Sequence, residues 1–245
     1  MKKVDILGLK IDVLDYQTAF EQCLKLSKLE RASSVSAANT QILAASKESA
    51  YFYKIMNKFD LILPDGMPLV WCINKKSSEN LLNDRVYGPY FMEYALLNSP
   101  PETKHFFFGG SKECLDKLVN SFRDKRSLNI CGSYSPPYRK WSNEDNDKFS
   151  KIISNSQPDF IWVALGGIKQ ETWIIENLYR YKKGVFFAVG DAFELIAGNR
   201  KYAPKWMQKR GLTWLYRLCQ EPRRMFKRYL KYNILFCWYL LRNRK

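Results

Sequence analysis

The sequence predicts an α/β fold in which a mostly parallel, Rossmann-like sheet carries helices on both faces and a helical appendage follows at the C-terminus. Short apolar segments of strand character alternate with longer amphipathic segments six times along the 245 residues. The strand segments are apolar throughout, which is typical of parallel strands buried on both faces. The last 47 residues hold 14 of the 40 Lys and Arg residues and one acid, hence +13 of the net charge of +16. We therefore expect an α/β domain over 1–198 and a basic, aromatic appendage over 199–245.

The individual elements follow from periodicity and from the residues at their ends. Alternating apolar residues over 4–14 predict a β-hairpin that turns near Gly8. Asp15, Ser111 and Ser142 can each cap the helix that follows. Strands of the main sheet are expected at 34–38, 60–64, 105–108, 128–134, 158–165 and 184–189. Helices are expected at 15–30, 40–57, 89–97, 111–126 and 191–197, and from Pro68, Ser142 and about Lys169. The polar, Asn- and Ser-rich residues 74–88 indicate a loop.

Composition argues against several classes of protein. The six cysteines show no CxxC spacing, which favours reduced thiols in the cytosol over disulfides or a metal site. The first residues lack the pattern of a signal peptide. The chain has one histidine, His105, just before a buried strand, which argues against Ser-His-Asp and histidine–metal chemistry. Asp145 and Asp147 fall in the first turn of a helix, where acids complement the helix dipole, so we expect no metal there.

The basic C-terminal segment predicts an amphipathic helix that begins at Pro222. Cations occupy one arc of this helix as far as Lys231, and apolar and aromatic side chains occupy the other. Only about ten mainly apolar residues follow, against roughly 20 needed to cross a bilayer. We therefore expect the helix to lie in the interface of an anionic membrane. The alternatives are a basic helix packed on its own domain and a nucleic-acid-binding tail, although no zinc-finger, homeodomain or RNA-recognition motif is present.

The residues directly after the predicted strands are the candidates for ligand binding, because ligands of parallel sheets lie outside the carboxyl ends of the strands. Two glycine pairs, Gly109-Gly110 and Gly166-Gly167, would let the backbone approach a ligand, and the helix that follows each pair favours an anion. Neither pair completes a GxGxxG or Walker A motif. The alternative is an ordinary tight turn between strand and helix. Lys169, Gly190 and Asp191 also follow strands.

Asp65 is the sharpest candidate for chemistry. It lies between Pro64 and Gly66 at the end of an apolar strand. Partial desolvation there would raise its pKa, as a general base requires. The alternative is that Asp65 caps the next helix. Polar side chains at Asn39, Thr40 and Gln170 could bind sugar hydroxyls or a diphosphate, and for them too the alternative is capping.

Taken together, several of these segments resemble the WecG/TagA/CpsF family of glycosyltransferases. The resemblance covers nearly the whole chain, in order, and is most specific between Trp206 and Arg224. The matching segments are 39–40 (NT), 63–66 (LPDG), 165–171 (LGGIKQE), 189–198 (VGDAFELIAG) and 203–230.

The resemblance implies an inverting, peripheral glycosyltransferase on the cytoplasmic face of the membrane. Its donor would be a UDP-sugar, often of N-acetylmannosamine or its uronic acid, with no metal and no other cofactor. Its acceptor would be a sugar on a polyprenyl diphosphate, for a cell-surface polymer. Its partners would not include nucleic acid, and its oligomeric state stays open. Carried over by motif, Asp65 is the base, Asn39, Thr40 and Gln170 lie in the substrate pocket, and Arg85 matches a loop arginine. Arg217, Arg223 and Arg224 belong to the appendage that closes over the diphosphate. As strand-end residues, Gly109, Gly110, Gly166, Gly167 and Lys169 are also expected to bind substrate.

Two positions depart from the family pattern. Ile168 stands where the family usually has proline, and Asp191 stands where it usually has a small residue. An additional acid near the site would repel a uronate, so we expect a neutral donor sugar. The competing hypothesis is a non-catalytic nucleotide- or nucleic-acid-binding α/β protein with a basic tail. A dehydrogenase on the same sheet is disfavoured, because no glycine fingerprint follows the first strand.

Overall fold

The computed structural model describes residues 1–79, 81–122 and 128–242. These residues form two compact units, each built from separate stretches of the chain. The first unit consists of 1–15, 37–87 and the chain from Tyr202 onwards, and the second consists of 16–36 and 88–201. The C-terminal segment thus shares a unit with early parts of the chain. The functional division predicted at residue 198 stays a prediction.

The main sheet has six strands, and the prediction of a mostly parallel α/β fold is confirmed. The strands are β3 (Ser33–Ala38), β4 (Leu61–Pro64), β5 (Lys104–Gly109), β6 (Asn129–Tyr134), β7 (Phe160–Ala164) and β8 (Val185–Ala188). Their order in the sheet is β4-β3-β8-β7-β5-β6. The pairs β3–β8, β8–β7, β7–β5 and β5–β6 are parallel. The carboxyl ends of these paired strands therefore lie at one edge.

The N-terminal hairpin forms a separate two-stranded sheet in the first unit, as expected. β1 (Lys3–Ile6) and β2 (Leu9–Asp12) pair antiparallel. The turn between them has positive φ at Leu7 (53°) and Gly8 (85°), which suits the right-handed twist of a two-residue hairpin. Asp12 is fully buried, accepts a hydrogen bond from Ile62 N at 2.8 Å and lies 3.1 Å from the Lys3 ammonium. Burial raises the pKa of Asp12, and its hydrogen bond to the backbone ties the hairpin to β4.

The helices divide between the two units. Those of the first unit are α2 (Thr40–Glu48), α3 (Ala50–Met56), α4 (Met67–Ser77), α10 (Lys205–Lys209), α11 (Thr213–Gln220) and α12 (Pro222–Arg242). Those of the second unit are α1 (Tyr16–Ser27), α5 (Gly88–Asn98), α6 (Lys112–Ser121), α7 (Asn143–Asn155), α8 (Gly167–Asn177) and α9 (Ala192–Ile196), with a 3-10 turn at Leu178–Arg180.

Two boundaries in the first unit differ from the expectation. The single helix expected over 40–57 is two helices, because Ser49 adopts extended backbone and its Oγ accepts from Phe52 N to start α3. The loop expected from residue 74 begins later, since α4 continues to Ser77. The expected end of α6 near Arg126 lies outside the described residues. At α7 the cap is as predicted: Ser142 Oγ accepts from Asp145 N, and the Asp145 carboxylate accepts from Ser142 N.

His105 is a residue of the aromatic core of the second unit. Its ring is fully buried, stacks on Trp162 and meets the edge of Phe160. Its Nδ1 accepts a hydrogen bond from Trp162 Nε1 at 3.2 Å. Burial lowers the pKa of His105 to about 3, so the imidazole stays neutral where a free histidine would take up a proton. The only histidine therefore serves packing, and it lies within β5, not before the strand.

This burial predicts a specific pH dependence of stability. The unfolded chain takes up a proton at this position below about pH 6.5 and the folded chain does not, so the free energy of unfolding should fall by about 2 kcal/mol between pH 7.5 and pH 5. His105→Gln keeps an acceptor for Trp162 without titrating, so it should remove most of that fall. Urea unfolding of both proteins at several pH values measures it. An unchanged slope in His105→Gln would show that another group is responsible.

Candidate active site

Asp65 lies directly after β4, where the sequence placed the candidate base. Its N–H donates to the carbonyl of Ala38, the last residue of β3, at 2.8 Å. The side chain is half-buried. The N-cap position of α4 is Gly66, so Asp65 precedes the cap instead of occupying it. The backbone on both sides of the carboxylate is thus held by strand and helix.

Arg85 is buried beside Asp65 and connects it to the C-terminal segment. Its Nη1 donates to the Asp65 carbonyl at 3.4 Å, and its Nη2 donates to Thr213 Oγ1 at 3.1 Å and to Gln208 Oε1 at 3.4 Å. The guanidinium also lies over the ring of Tyr87, 4.1 Å from its centre. A planar guanidinium can meet several acceptors and an aromatic face at once. One side chain therefore joins the end of β4 to α10 and α11.

Arg217 and Tyr87 complete this arrangement, and we call Asp65, Arg85, Tyr87 and Arg217 the Asp65 cluster. Burial raises the pKa of the Tyr87 hydroxyl, and the Asp65 carboxylate raises it further. The guanidinium groups of Arg85 and Arg217 act in the opposite direction. Asp65, Arg85 and Arg217 therefore all act on the Tyr87 hydroxyl, and all four residues belong to the first unit. Arg217 is buried on α11, 3.9 Å from the Glu221 carboxylate.

The other two arginines of the C-terminal segment lie differently. Arg223 and Arg224 are in the first turn of α12 and both are exposed. Arg224 forms an ion pair with Glu221 at 2.7 Å. Of the three predicted arginines, the structure brings Arg217 into the Asp65 cluster and places the others on the surface of α12. Their predicted contact with a diphosphate remains a prediction.

Asn39 and Thr40 make contacts within the first unit. Asn39 is the N-cap of α2, where its Oδ1 accepts from Gln41 N at 3.0 Å and from Ile42 N at 3.4 Å. The capping alternative is therefore confirmed for Asn39. Thr40 Oγ1 donates to Asn233 Oδ1 of α12 at 3.1 Å. Both side chains help to position the start of α2, and their contact with substrate stays a prediction.

In the second unit, Gly109 closes β5 where no larger residue fits. Its φ is +119°, and a Cβ built there would lie 2.3 Å from the carbonyl oxygen of Ala164 on β7. The next residue, Gly110, donates its N–H to the same oxygen at 3.1 Å and accepts from Ser135 Oγ at 2.7 Å. This pair has a packing role in addition to any role in binding.

Gly166 and Gly167 form a more open turn before α8. A Cβ at Gly166 would meet nothing within 4 Å, although the φ of +82° still favours glycine. Gly166 is the N-cap of α8 and supplies no side-chain acceptor, which leaves the first N–H groups of an 11-residue helix available to an anion. Lys169, in the first turn, lies over the ring of Trp141 at 3.9 Å. Ile168, one of the departures from the family pattern, belongs to the same turn.

Gln170 is buried in the second unit and its side-chain amide is engaged at both ends. Its Oε1 accepts from Gly190 N at 3.2 Å, and its Nε2 donates to Glu171 Oε1 at 3.2 Å. Asp191 is half-buried at the N-cap of α9. The backbone turn after β8 is therefore held by a residue that the sequence suggested as a substrate ligand.

α12 presents an apolar stripe to solvent. Met225 and Phe236 are buried, and the Tyr239 hydroxyl donates to the Glu48 carboxylate of α2. A second set of apolar side chains is 47–62% exposed and recurs every three or four residues, which places the set on one face. This stripe consists of Phe226, Leu230, Ile234, Trp238 and Leu241. The predicted apolar arc is therefore divided. Met225 and Phe236 are packed on the unit, whereas Phe226 and Leu230 belong to the exposed stripe.

The part of the chain that the structure describes holds no group of three or more His, Cys, Asp or Glu residues arranged to bind a metal ion. All six cysteines are free thiols, as expected. None of the described helices combines the length and the hydropathy that a segment crossing a membrane requires.

Comparison with known proteins agrees with the resemblance carried by the strand-end motifs. Residues 4–245 match the Glycosyl transferase WecG/TagA/CpsF family. The chain belongs to this family. It is 29% identical over 190 residues to an N-acetylglucosaminyldiphosphoundecaprenol N-acetyl-beta-D-mannosaminyltransferase of Bacillus subtilis, covering 77% of this chain and 72% of that protein. The protein of the same name from Bacillus spizizenii is 29% identical over 221 residues, with 88% and 83% covered.

The protein is therefore a glycosyltransferase. This decides against the competing hypotheses of a non-catalytic binding protein and of a dehydrogenase. It also gives context to residues that the sequence alone did not single out. Tyr87, Gln208 and Thr213 join the surroundings of Asp65, and Glu171 supports Gln170. The sequence offered a way to find these four residues. Gln208, Thr213 and Glu171 lie inside the segments that resemble the family, and Tyr87 is two positions after the candidate Arg85.

The two glycine pairs of this glycosyltransferase should respond differently to alanine. Gly109→Ala adds a Cβ that collides with the Ala164 carbonyl, on top of an unfavourable positive φ, whereas Gly166→Ala has only the unfavourable φ. We expect Gly109→Ala to lower the free energy of unfolding by at least about 2 kcal/mol more than Gly166→Ala does. Denaturant unfolding of the two variants measures this, and equal losses would contradict the packing role of Gly109.

Proposed function

We propose that this glycosyltransferase moves an N-acetylmannosamine-type sugar from UDP to a sugar carried on a polyprenyl diphosphate, with inversion at the anomeric carbon. The acceptor follows the names of the relatives, whose acceptor is N-acetylglucosamine on undecaprenyl diphosphate. The observation that carries the proposal is the Asp65 cluster. It combines a carboxylate at a strand end with two buried arginines that act on the same tyrosine hydroxyl, one of them from the C-terminal segment.

In this mechanism Asp65 is the general base. Its carboxylate takes the proton of the acceptor hydroxyl while that oxygen attacks the anomeric carbon. The bond from this carbon to the diphosphate oxygen breaks, and UDP leaves with the electron pair. Fixed backbone on both sides of Asp65 supports the assignment, because a base must be held within reach of the proton that it removes.

The charge that develops on the departing UDP needs donors in place before the reaction. We assign this role to the N–H groups at the start of α8 and to Lys169. That a Cβ built at Gly166 would meet nothing within 4 Å supports this assignment. On this proposal no metal ion and no other cofactor takes part, so protein groups alone meet the charge.

The donor sugar in this proposal is neutral. Asp191 places a carboxyl group at the end of β8, next to a turn that we assign to substrate binding. A uronate would be repelled there by like charge. The relatives are named for transfer of N-acetylmannosamine, which is uncharged.

The apolar stripe of α12 is the surface that we propose to meet the lipid bilayer. Arg223, Lys227 and Lys231 are exposed on the same helix and would bind anionic headgroups while the stripe enters the acyl boundary. Since the proposed acceptor is anchored in a membrane, a peripheral enzyme on the cytoplasmic face would meet it there.

Asp65→Asn tests the assignment of the base. The amide keeps the shape of the side chain but cannot take a proton, so turnover should fall by at least about 100-fold while UDP still binds. The assay follows release of UDP from UDP-N-acetylmannosamine with a lipid-linked N-acetylglucosamine acceptor. Asp84→Asn is the matched control, because Asp84 is an exposed residue of the same unit whose Oδ1 only accepts from Arg85 N. Near-normal turnover in Asp65→Asn would end the assignment.

The membrane role of α12 has its own test. The double variant Leu230→Gln with Ile234→Gln should bind vesicles of phosphatidylglycerol and phosphatidylcholine at least about 10-fold more weakly than the unchanged protein does. The reason is that two apolar side chains are no longer transferred from water into the bilayer. Leu97→Gln is the control, because Leu97 is an exposed leucine of α5 in the second unit. Vesicle flotation compares the proteins. If the double variant floats as well as the control does, the stripe does not bind the bilayer.

A further inference from the structure

Glu171 is a buried carboxylate for which the proposed mechanism has no use. It lies in the first half of α8, is 1% exposed, and follows Gln170 in the sequence. Its Oε1 accepts from Gln170 Nε2 at 3.2 Å and from Ser36 Oγ of β3 at 3.5 Å. A buried acidic group is costly unless hydrogen bonds compensate for the lost water. A residue of this kind calls for an explanation other than packing.

The hydrogen bonds of Gln170 explain what the carboxylate can do. An amide side chain has a donor end and an acceptor end, and it can turn over when its surroundings do not distinguish them. The Gly190 N–H only donates, so it requires the Gln170 oxygen. The Glu171 carboxylate accepts, so it requires the Gln170 nitrogen. The two neighbours therefore select the same orientation of the amide.

The Gly190 end of this chain of bonds is the turn after β8. Gly190 lies two positions after the last residue of β8, has a φ of +64°, and a Cβ built there would meet nothing within 4 Å. The turn leads into α9, whose N-cap is Asp191. The backbone of Val189 on the other side is held by Val163 O at 3.2 Å and by Ala192 N at 3.3 Å, and the N–H of Gly190 itself donates to Gln170.

We propose that Glu171 is a positioning residue that locks the amide of Gln170 and, through it, the backbone of Gly190 and Asp191 at the end of β8. The functional part of this inference rests on the proposed role of that strand end in binding the UDP-sugar. Glu171 itself touches no substrate in this scheme. Its effect on binding comes from holding the turn in one conformation before the ligand arrives.

Hydrogen exchange at the Gly190 amide tests the lock without any substrate. The chain has 12 glycines, so a protein labelled with 15N only at glycine gives a simple spectrum. Glu171→Leu removes the acceptor at similar size, and Gln170→Leu removes the amide. Each should accelerate exchange at Gly190 about 10-fold, and the double variant should exchange no faster than either single one, because both changes break the same chain. Glu171→Gln should stay near the wild-type rate, since its amide oxygen can still accept from Gln170.

Gly132 on β6 is the internal control, because its amide reports the fold of the same unit away from the turn. If Glu171→Leu accelerates Gly132 as well, that variant has lost the fold. The wild-type chain, labelled with 15N at glutamine, then decides: the Gln170 side-chain amide should exchange slowly because it donates to Glu171, and fast exchange there overturns the lock. An unchanged Gly190 rate in a folded Glu171→Leu, or additive effects of the two leucine variants, also overturns it.

Affinity for UDP, measured by calorimetry on the same variants, separates the lock from the proposed function. Weaker UDP binding in Glu171→Leu, restored in Glu171→Gln, supports both. Faster exchange at Gly190 with unchanged UDP affinity supports the lock and overturns the assignment of this strand end to the nucleotide. Weaker UDP binding with unchanged exchange at Gly190 overturns the lock and leaves the assignment standing.

Discussion

The structure of the first unit depends on the buried guanidinium of Arg85. A charged group that is removed from water is stable only when its N–H donors form hydrogen bonds to acceptors. The Asp65 carbonyl comes from the end of β4, while Gln208 and Thr213 lie 123 and 128 positions after Arg85 in the chain. The end of β4 and the C-terminal segment therefore stabilise each other. If the C-terminal segment were absent, Arg85 would lose two of these acceptors and the support beneath Asp65 would weaken.

This constraint gives the basic C-terminal segment two tasks within one unit. The α10–α11 part faces inward, where Gln208 and Thr213 accept from Arg85 and Arg217 joins the Asp65 cluster. α12 packs two buried side chains on the unit and leaves its apolar stripe outside. Because both parts belong to a single stretch of chain, docking α12 on lipid would restrain the residues that support the candidate base. On the proposed membrane role of α12, placement on a bilayer would therefore be coupled to the support of Asp65.

The sequence predicted the sheet well, because long apolar strands and capped helices are local signals. The position of Asp65 after β4 and of Gly166 before α8 followed from the same signals. Other features depend on residues far apart in the chain, and local patterns do not contain them. The partners of Arg85 are an example, and so is the grouping of 1–15 with the C-terminal segment. The break at Ser49 was missed for a different reason: helix propensity on both sides was strong, and a single capping serine decided the outcome.

Several polar residues chosen from the sequence as ligands turn out to hold the backbone. Asn39 accepts from the first N–H groups of α2, and Gln170 accepts from Gly190. A side chain engaged in this way does not need to touch substrate to matter, because it fixes which backbone groups face the ligand. Gly166 extends this argument, since its residue type is required by its φ and leaves the N–H groups of α8 uncovered. Recognition of a diphosphate by such backbone groups needs accurate positions more than particular side chains. The role of these motifs therefore includes the conformation that they impose on the backbone. In our proposal Glu171 has the same positioning role, one residue further from the ligand.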